Sequence, residues 1–275
     1  MHAPFAIENV RIVTPRGPAR GPAMDELLVV EEGRLLIADG RVTSMGRSLE
    51  LPAVERIDGG GGVLLPAFVD CHTHACWAGD RLDEWQAKLQ GASYLEIAAQ
   101  GGGILSTVGA VRAASEDELA SLLDGRLAAM ERHGTASVEV KSGYGLTPES
   151  ELKMLRAIRT AGTRWTGSVS ITACIGHAIV GDESTFVEET LQETLAAVTV
   201  AFPGAAIDAY CEKGAWSVAD TSRLVRAAHR AGHRVRLHVD QFHELGMLEV
   251  AIAEGVRSVD HLEATGIEGL TRLGA

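Results

Sequence analysis

The sequence holds ten histidines, and five of them stand at the C-terminal ends of short apolar runs. His72 and His74 close FVDCHTH, His177 follows SITACIG, His238 ends RVRLH, and His261 lies in SVDHLE. In extended backbone, residues i and i+2 face the same side, so His-x-His sets two imidazoles side by side. Neutral imidazole nitrogens at that spacing suit a divalent metal, with Asp70 placed to orient one ring from behind. The plainer alternative is a pair of buried, hydrogen-bonded histidines. His238 adds a third nitrogen from another strand and favours the metal; one carboxylate or a solvent molecule would finish the site. His261 suits proton transfer, because an imidazole titrates near neutral pH, at about 6.5; a core histidine is its alternative. His177 divides evenly between a substrate contact and a structural hydrogen bond. The other histidines need no chemistry: His2 is terminal, His133 ends a helix, His229 and His233 flank a helix C-terminus, and His243 sits in a loop.

Groups near these histidines suit a small anionic or amide-like substrate. Arg81 follows the His-x-His segment closely, and a guanidinium grips a carboxylate through two parallel hydrogen bonds. Tyr144 directly follows a strand in KSGYG, and Tyr94 in GASYLEIA is a second amphipathic candidate. Gln241, three residues past His238, can read an N–H or C=O but cannot act as a base. Lys141 raises the question of a carboxylated lysine bridging two ions. It stands on the second strand of the series with no further ligand pair in view, so a single ion is expected.

Such side chains need a frame that brings many strand ends to one rim. FVDCHTH, ASVEVKSGYG, VSITACIGHA, AIDAYCEKG, RVRLHVDQ and RSVDHLE read as strands separated by helical segments such as DELASLLDGRLAAMERHG. That alternation, roughly every 30 to 40 residues, means parallel βα units. A barrel draws its site from many strand ends, whereas an open doubly wound sheet concentrates it at one crevice. The expectation is therefore an α/β fold, a TIM-like (β/α)8 metal-dependent hydrolase barrel over residues 66–275, incomplete at about six βα units. No GxGxxG or Walker loop follows the first strand. Residues 1–65 read differently, as short β-branched runs punctuated by Gly, Pro and Asp, and predict a small, incomplete β-sandwich domain or β-layer. The sixth barrel strand ends near Glu263, so the chain reads as a fragment that exposes strand edges, with poor solubility or weak metal retention expected.

Composition narrows the partners. With 25 Lys+Arg against 37 Asp+Glu, the net charge of −12 counts against a nucleic-acid or anionic-membrane binder. No apolar run approaches the roughly 18 residues that span a bilayer, and MHAPFAIENVRIVTPRG has charge and Pro where a signal peptide needs an apolar stretch. Cys71, Cys76, Cys174 and Cys211 form no CxxC pair, which fits reduced thiols and a cytoplasmic location.

Several segments, in one order, resemble the imidazolonepropionases of the amidohydrolase superfamily: DCHTH with AGDRLDE, GASYLEIAAQGGGILSTV, VEVKSGYGL, ESELKMLR, DAYCEKGAWS, LHVDQFHELG and VDHLE. The resemblance runs from Phe68 to the last residue and is far more specific than His-x-His. It implies that His72, His74 and His238 bind one divalent metal, Zn2+ or Fe. It also implies that Arg81, Tyr144, His177 and Gln241 contact the substrate and that His261 is catalytic. The family's aspartate ligand belongs to an eighth strand that this sequence does not reach. TACIGHAIVGDES, with Ile175 where glycine is common, and Cys76-Trp77 depart from the family pattern, which leaves His177 the least secure of these matches.

The implied reaction is hydrolysis of the cyclic amide C–N bond of 4-imidazolone-5-propanoate to N-formimidoyl-L-glutamate in histidine breakdown. The alternatives are another cyclic amidase or a nucleobase deaminase of the same superfamily, or an inactive truncated fragment. Members of the family commonly pair, which makes a homodimer the form to test.

Overall fold

A computed structural model describes residues 3–17, 26–92 and 102–274. The chain divides into two compact units, Met1–Ala67 and Phe68–Ala275.

In the first unit β1 (Phe5–Pro15) pairs antiparallel with β2 (Leu27–Ala38), which pairs with β3 (Arg41–Gly46). On its other edge β1 takes β4 (Glu55–Asp58) and then β5 (Val63–Leu64), both parallel. The β2–β3 connection is the two-residue Asp39-Gly40, with φ of 52° and 70°, as a hairpin turn that matches strand twist requires. Val10, Ile12 and Leu35 are buried on one face, with Ile7, Val30, Ile37 and Leu64 packed against them. The described residues of this unit form the small N-terminal β domain as a single five-stranded sheet. All five strands find their hydrogen-bond partners within that single sheet.

The second unit is a six-stranded sheet, β6 (Phe68–Asp70), β7 (Thr135–Lys141), β8 (Ser168–Gly176), β9 (Ala206–Cys211), β10 (Val235–Val239) and β11 (Ser258–His261). Each strand pairs in parallel with the next in sequence. The order never reverses, so the sheet has no switch point of the doubly wound kind. A flat sheet would hold its two edges five spacings apart, about 24 Å at roughly 4.8 Å each. Yet Nδ1 of His72, just past β6, lies 3.1 Å from Oδ2 of Asp260 on β11. The sheet is therefore curled, as an incomplete barrel with helices on its outside.

Alternation along the strands sorts the side chains. Val138, Val140, Ile207, Ala209, Leu237 and Val239 are buried in the apolar core, while Glu139, Lys141, Asp208 and His238 gather within the curl. The helices carry their own start signals. Ser115 caps α3 (Glu116–Arg132; α1, Leu82–Leu89, and α2, Ile104–Ala113, precede it), its side chain accepting from the Glu118 N–H at 3.1 Å. Leu119, Leu123 and Leu127 then face inward at the helical repeat. Thr147 caps α4 (Pro148–Arg164), whose first residue is the proline that a helix start tolerates. No helix among the described residues is long and apolar enough to cross a membrane.

Candidate metal centre

The His-x-His segment is not itself a strand, since β6 ends at Asp70. Its geometry is held by the residue between the histidines. The Thr73 hydroxyl donates to the Glu139 carbonyl at 2.7 Å, and the Lys141 N–H donates to the Thr73 carbonyl at 3.0 Å. With Thr73 bound on both counts to β7, the rings of His72 and His74 stay 5.4 Å apart, centroid to centroid. Arg126 of α3 braces the segment that follows. Its Nη1 donates to the carbonyls of Ala75 and Trp77 at 2.9 and 2.8 Å, and its guanidinium lies 3.6 Å over the Trp77 ring.

Three imidazoles converge here, with candidate ligand atoms of His72, His74 and His238 all within 4.8 Å of one another. Nε2 of His74 and Nε2 of His238 are 3.0 Å apart. His238 faces Asp208 Oδ1 with Nδ1 at 3.0 Å, so a proton on Nδ1 leaves a lone pair on Nε2. Burial first, then the nearby His177 and His238, hold the His74 imidazole well below its usual range, so it stays neutral. Neutral imidazole nitrogens facing one another fit a divalent cation of intermediate softness. Asp70 does not orient a ring as expected; it accepts the backbone N–H of His72 at 3.4 Å, and Asp260 takes the place beside the imidazole.

Beside the triad, His177 stacks on His74 with centroids 4.6 Å apart and planes at 22°. Its Nδ1 meets the Gly143 carbonyl at 2.9 Å, and burial pulls its pKa down to about 4. Tyr144 closes that side, its ring 5.1 Å from His177 and 5.9 Å from His74. Burial pushes its phenol up, and the Arg81 charge pulls weakly the other way. This turn is locked from beneath by Glu151 in the first turn of α4. The Glu151 carboxylate, fully buried, accepts from the N–H groups of Gly143, Gly145 and Leu146 at 3.0, 2.8 and 2.8 Å.

His261 ends β11 in a left-handed conformation, φ 79°, with its ring 5.4 Å from both His72 and His238. Its Nδ1 lies 3.3 Å from Glu263 Oε1. Arg81 precedes α1 and is drawn to Glu84, whose Oε2 accepts from Nε and Nη2 at 2.8 and 2.6 Å. No hydrogen bond or ion pair among the described residues ties Arg81 to the histidines. Gln241 is half-buried just past β10, in a loop fixed by Glu212, which accepts from the N–H groups of Phe242 and His243. His243 spends its Nδ1 on that same carboxylate at 2.8 Å. His233 is buried between the Ala205 carbonyl and the Thr199 hydroxyl, rather than on its own helix end. Tyr94 lies outside the described residues.

Four residues that sequence reasoning passed over or gave no partner shape the centre: Asp208, Asp260, Glu151 and Arg126. Asp208 does carry a signal, an acid inside the apolar run AIDAYC. Asp260 is masked by its neighbour His261, which draws the attention in SVDHLE. Lys141 is no bridging ligand; its ammonium is buried against Asp208 and Glu139. Burial alone would lower the Lys141 pKa, but those two carboxylates outweigh it and raise it.

Residues 63–272 match the amidohydrolase family. The imidazolonepropionase of Deinococcus radiodurans is 42% identical over 273 residues, which cover 96% of this chain and 66% of that protein. That of Herpetosiphon aurantiacus is 40% identical over 288 residues, covering 99% and 67% respectively. The chain thus spans about two thirds of the length of the curated relatives it matches. Among solved structures, the triazine hydrolase from Arthobacter aurescens is similar in fold, with a TM-score of 0.66 at 15% identity, over 98% of this chain and 63% of that one. A family match over most of the sequence, agreeing with a singly wound curled sheet whose strand ends carry three converging histidines, means that the chain belongs to the amidohydrolase family and groups in sequence with the imidazolonepropionases.

Proposed function

We propose that this chain carries the site that hydrolyses the cyclic amide C–N bond of 4-imidazolone-5-propanoate to N-formimidoyl-L-glutamate, a step of histidine breakdown. The observation that carries the reading is the convergence of His72, His74 and His238, with His177 stacked on His74 and Tyr144 beside them, in a chain so similar to imidazolonepropionases. In this reading the three histidines hold one divalent ion, Zn2+ or Fe. Such an ion, when bound, polarises a carbonyl oxygen and lowers the pKa of water from about 15.7 toward about 7.

The chain's own residues do the remaining work. Arg81 grips the propanoate carboxylate, and Tyr144 and His177 line the heterocycle, His177 presenting Nε2 because Nδ1 is committed to Gly143. Gln241 reads a ring N–H or C=O from the loop that Glu212 fixes. His261, with Nδ1 turned to Glu263, moves a proton at Nε2. It takes that proton from the attacking water as the carbon–oxygen bond forms, and returns it to the ring nitrogen as the carbon–nitrogen bond breaks. In this reading the substrate is a small molecule and the protein a cytoplasmic enzyme, and light scattering tests the homodimer that family resemblance raises.

The test is turnover of 4-imidazolone-5-propanoate, cytosine and hydantoin by the zinc- or iron-loaded chain, with product identified by mass spectrometry. Loss of the imidazolone with formation of N-formimidoyl-glutamate is expected. A metal-loaded chain that leaves the imidazolone untouched, or that prefers either of the other two, overturns the reading.

A further inference from the structure

A lysine is buried in the middle of the curled sheet, and the chemistry above gives it nothing to do. Lys141 is fully buried at the end of β7, where an ammonium surrenders its hydration and must recover it from neighbours. A well-packed aliphatic side chain is often no worse for stability in such a place than an ion pair. Packing alone therefore gives no reason for the charge, but the neighbours do. Nζ donates to Asp208 Oδ2 at 2.6 Å and to Glu139 Oε1 at 2.8 Å, and lies 3.9 Å from Asp260 Oδ2. Asp208 and Asp260 are the two carboxylates that face Nδ1 of His238 and Nδ1 of His72, at 3.0 and 3.1 Å. One ammonium on β7 thus sits between the carboxylates, on β9 and β11, that lie beside two of the three candidate ligands.

Geometry dictates what each group does. With Oδ2 of Asp208 on the ammonium, Oδ1 is aimed at His238. An ionised carboxylate can only accept, so His238 carries its proton on Nδ1 and keeps a lone pair on Nε2, the atom facing His74. Asp260 Oδ2 lies 3.1 Å from Nδ1 of His72 but makes no hydrogen bond there, so His238 is the ring whose tautomer this carboxylate ladder sets. His74 differs: its Nδ1 has no hydrogen-bond partner, and its ring is placed by the Thr73 bonds and by the stack on His177. Arg236 Nε, 3.8 Å from Glu139 Oε1, extends the ladder downward. Lys141 and Arg236 against Glu139, Asp208 and Asp260 leave one formal negative charge beside the imidazoles, the sign that draws a cation.

We propose that Lys141 is a positioning residue for the metal centre: by anchoring Asp208, it fixes the tautomer and ring direction of His238 before any metal arrives. The proposal rests on the metal-centre reading, and two measurements separate the fates of the two. The first is long-range proton–nitrogen NMR of the metal-free chain labelled with nitrogen-15 histidine, which reports each ring's tautomer. His238 is expected to carry the proton on Nδ1 in the wild type. In Lys141→Met and Asp208→Asn, with far-UV circular dichroism unchanged, His238 is expected to lose that preference. A proton on Nε2 of His238 in the wild type, or an unchanged tautomer in both folded variants, overturns the inference whatever the metal does. Because the wild-type measurement needs no variant, a variant that fails to fold does not shelter the idea.

The second measurement is titration with Zn2+ alone. The wild type is expected to bind, with the His72, His74 and His238 resonances perturbed, and the folded variants to bind about 10- to 100-fold more weakly, the usual loss when a ligand's outer partner is removed. Equal affinity in both folded variants overturns the inference. A wild-type chain that takes up no Zn2+ at these rings overturns the metal-centre reading instead, while the tautomer of His238 still decides whether Lys141 sets that ring.

Discussion

The carbonyl of Gly143 meets Nδ1 of His177 at 2.9 Å, and a Cβ at position 143 would come 2.9 Å from that same nitrogen and 3.0 Å from the Cys174 carbonyl. At φ +115° the residue is also in backbone that side chains rarely enter. Gly143→Ala should therefore lower the unfolding free energy by about 1–3 kcal/mol, the cost of one strained residue, and displace His177 from its stack on His74. Urea denaturation measures the first effect. A midpoint equal to that of the wild type would mean that the turn has a second conformation open to it.

Glu151 tests the same turn from below. Two N–H groups, of Gly145 and Leu146, point at Oε1, and one, of Gly143, points at Oε2. Glu151→Gln keeps the shape but sets an NH2 group against at least one of these donors. A buried donor left unpaired costs about 1–3 kcal/mol, so the variant should be destabilised by that order. Tyr144 and His177 should become more mobile, with broadened side-chain NMR resonances. Wild-type stability would show that the carboxylate charge is not what holds the turn.

How much of this the sequence discloses depends on distance along the chain. The six strands and their order follow from apolar runs and from the rule that parallel units wind one way, and His72, His74 and His238 follow from their places at strand ends. The reason given for His-x-His is only half right: strand alternation predicts the shared face, but the backbone there is irregular, and Thr73 keeps the two rings together by its bonds to β7. The Lys141–Asp208 pair joins residues 67 positions apart, on strands that are not neighbours in the sheet. No local pattern reports such a contact, because it exists only once the sheet curls. Arg81 shows the opposite failure. Its type and loop position are legible, but its partner Glu84 becomes meaningful only when α1 places it three residues on, across the first turn.

The thiols give an independent check on burial. Cys71 is exposed, whereas Cys76, Cys174 and Cys211 are buried. Burial pushes the Cys76 thiol up to about 12 and the Cys211 thiol up to about 11, and raises that of Cys174 well above the ordinary thiol. Since the thiolate is the reactive form, iodoacetamide at about pH 8 should modify Cys71 alone in the native chain and all four cysteines in denaturant. Mass spectrometry counts the adducts. Native labelling at Cys174 would mean that the strand β8 opens to solvent far more readily than its packing implies.

Arg81 carries the sharpest claim about substrate. Glu84 pairs with it, and the Glu84 carboxyl, hydrogen-bonded to the guanidinium, is held below the usual carboxylate range. The Arg81 side chain is 39% exposed and that of Glu84 only 14%, and Glu84 Oε1 also accepts the Gly103 N–H at 2.9 Å, so Glu84 keeps a second partner when Arg81 turns to another carboxylate. If the propanoate group takes the place of Glu84, Arg81→Ala should raise KM on the order of 10- to 100-fold, since charge-assisted hydrogen bonds are worth about 1.5–3 kcal/mol. The effect on kcat should be smaller, because the interaction is the same in ground and transition states. Glu84→Gln, which weakens the competitor while leaving Arg81 in place, should lower KM. Arg81→Ala should unfold within about 0.5 kcal/mol of the wild type, as surface changes do; Glu84→Gln keeps one oxygen to accept the Gly103 N–H and should remain folded by circular dichroism. An unchanged KM in Arg81→Ala removes the carboxylate role, and a raised KM in Glu84→Gln means that Glu84 holds Arg81 ready for the substrate rather than away from it.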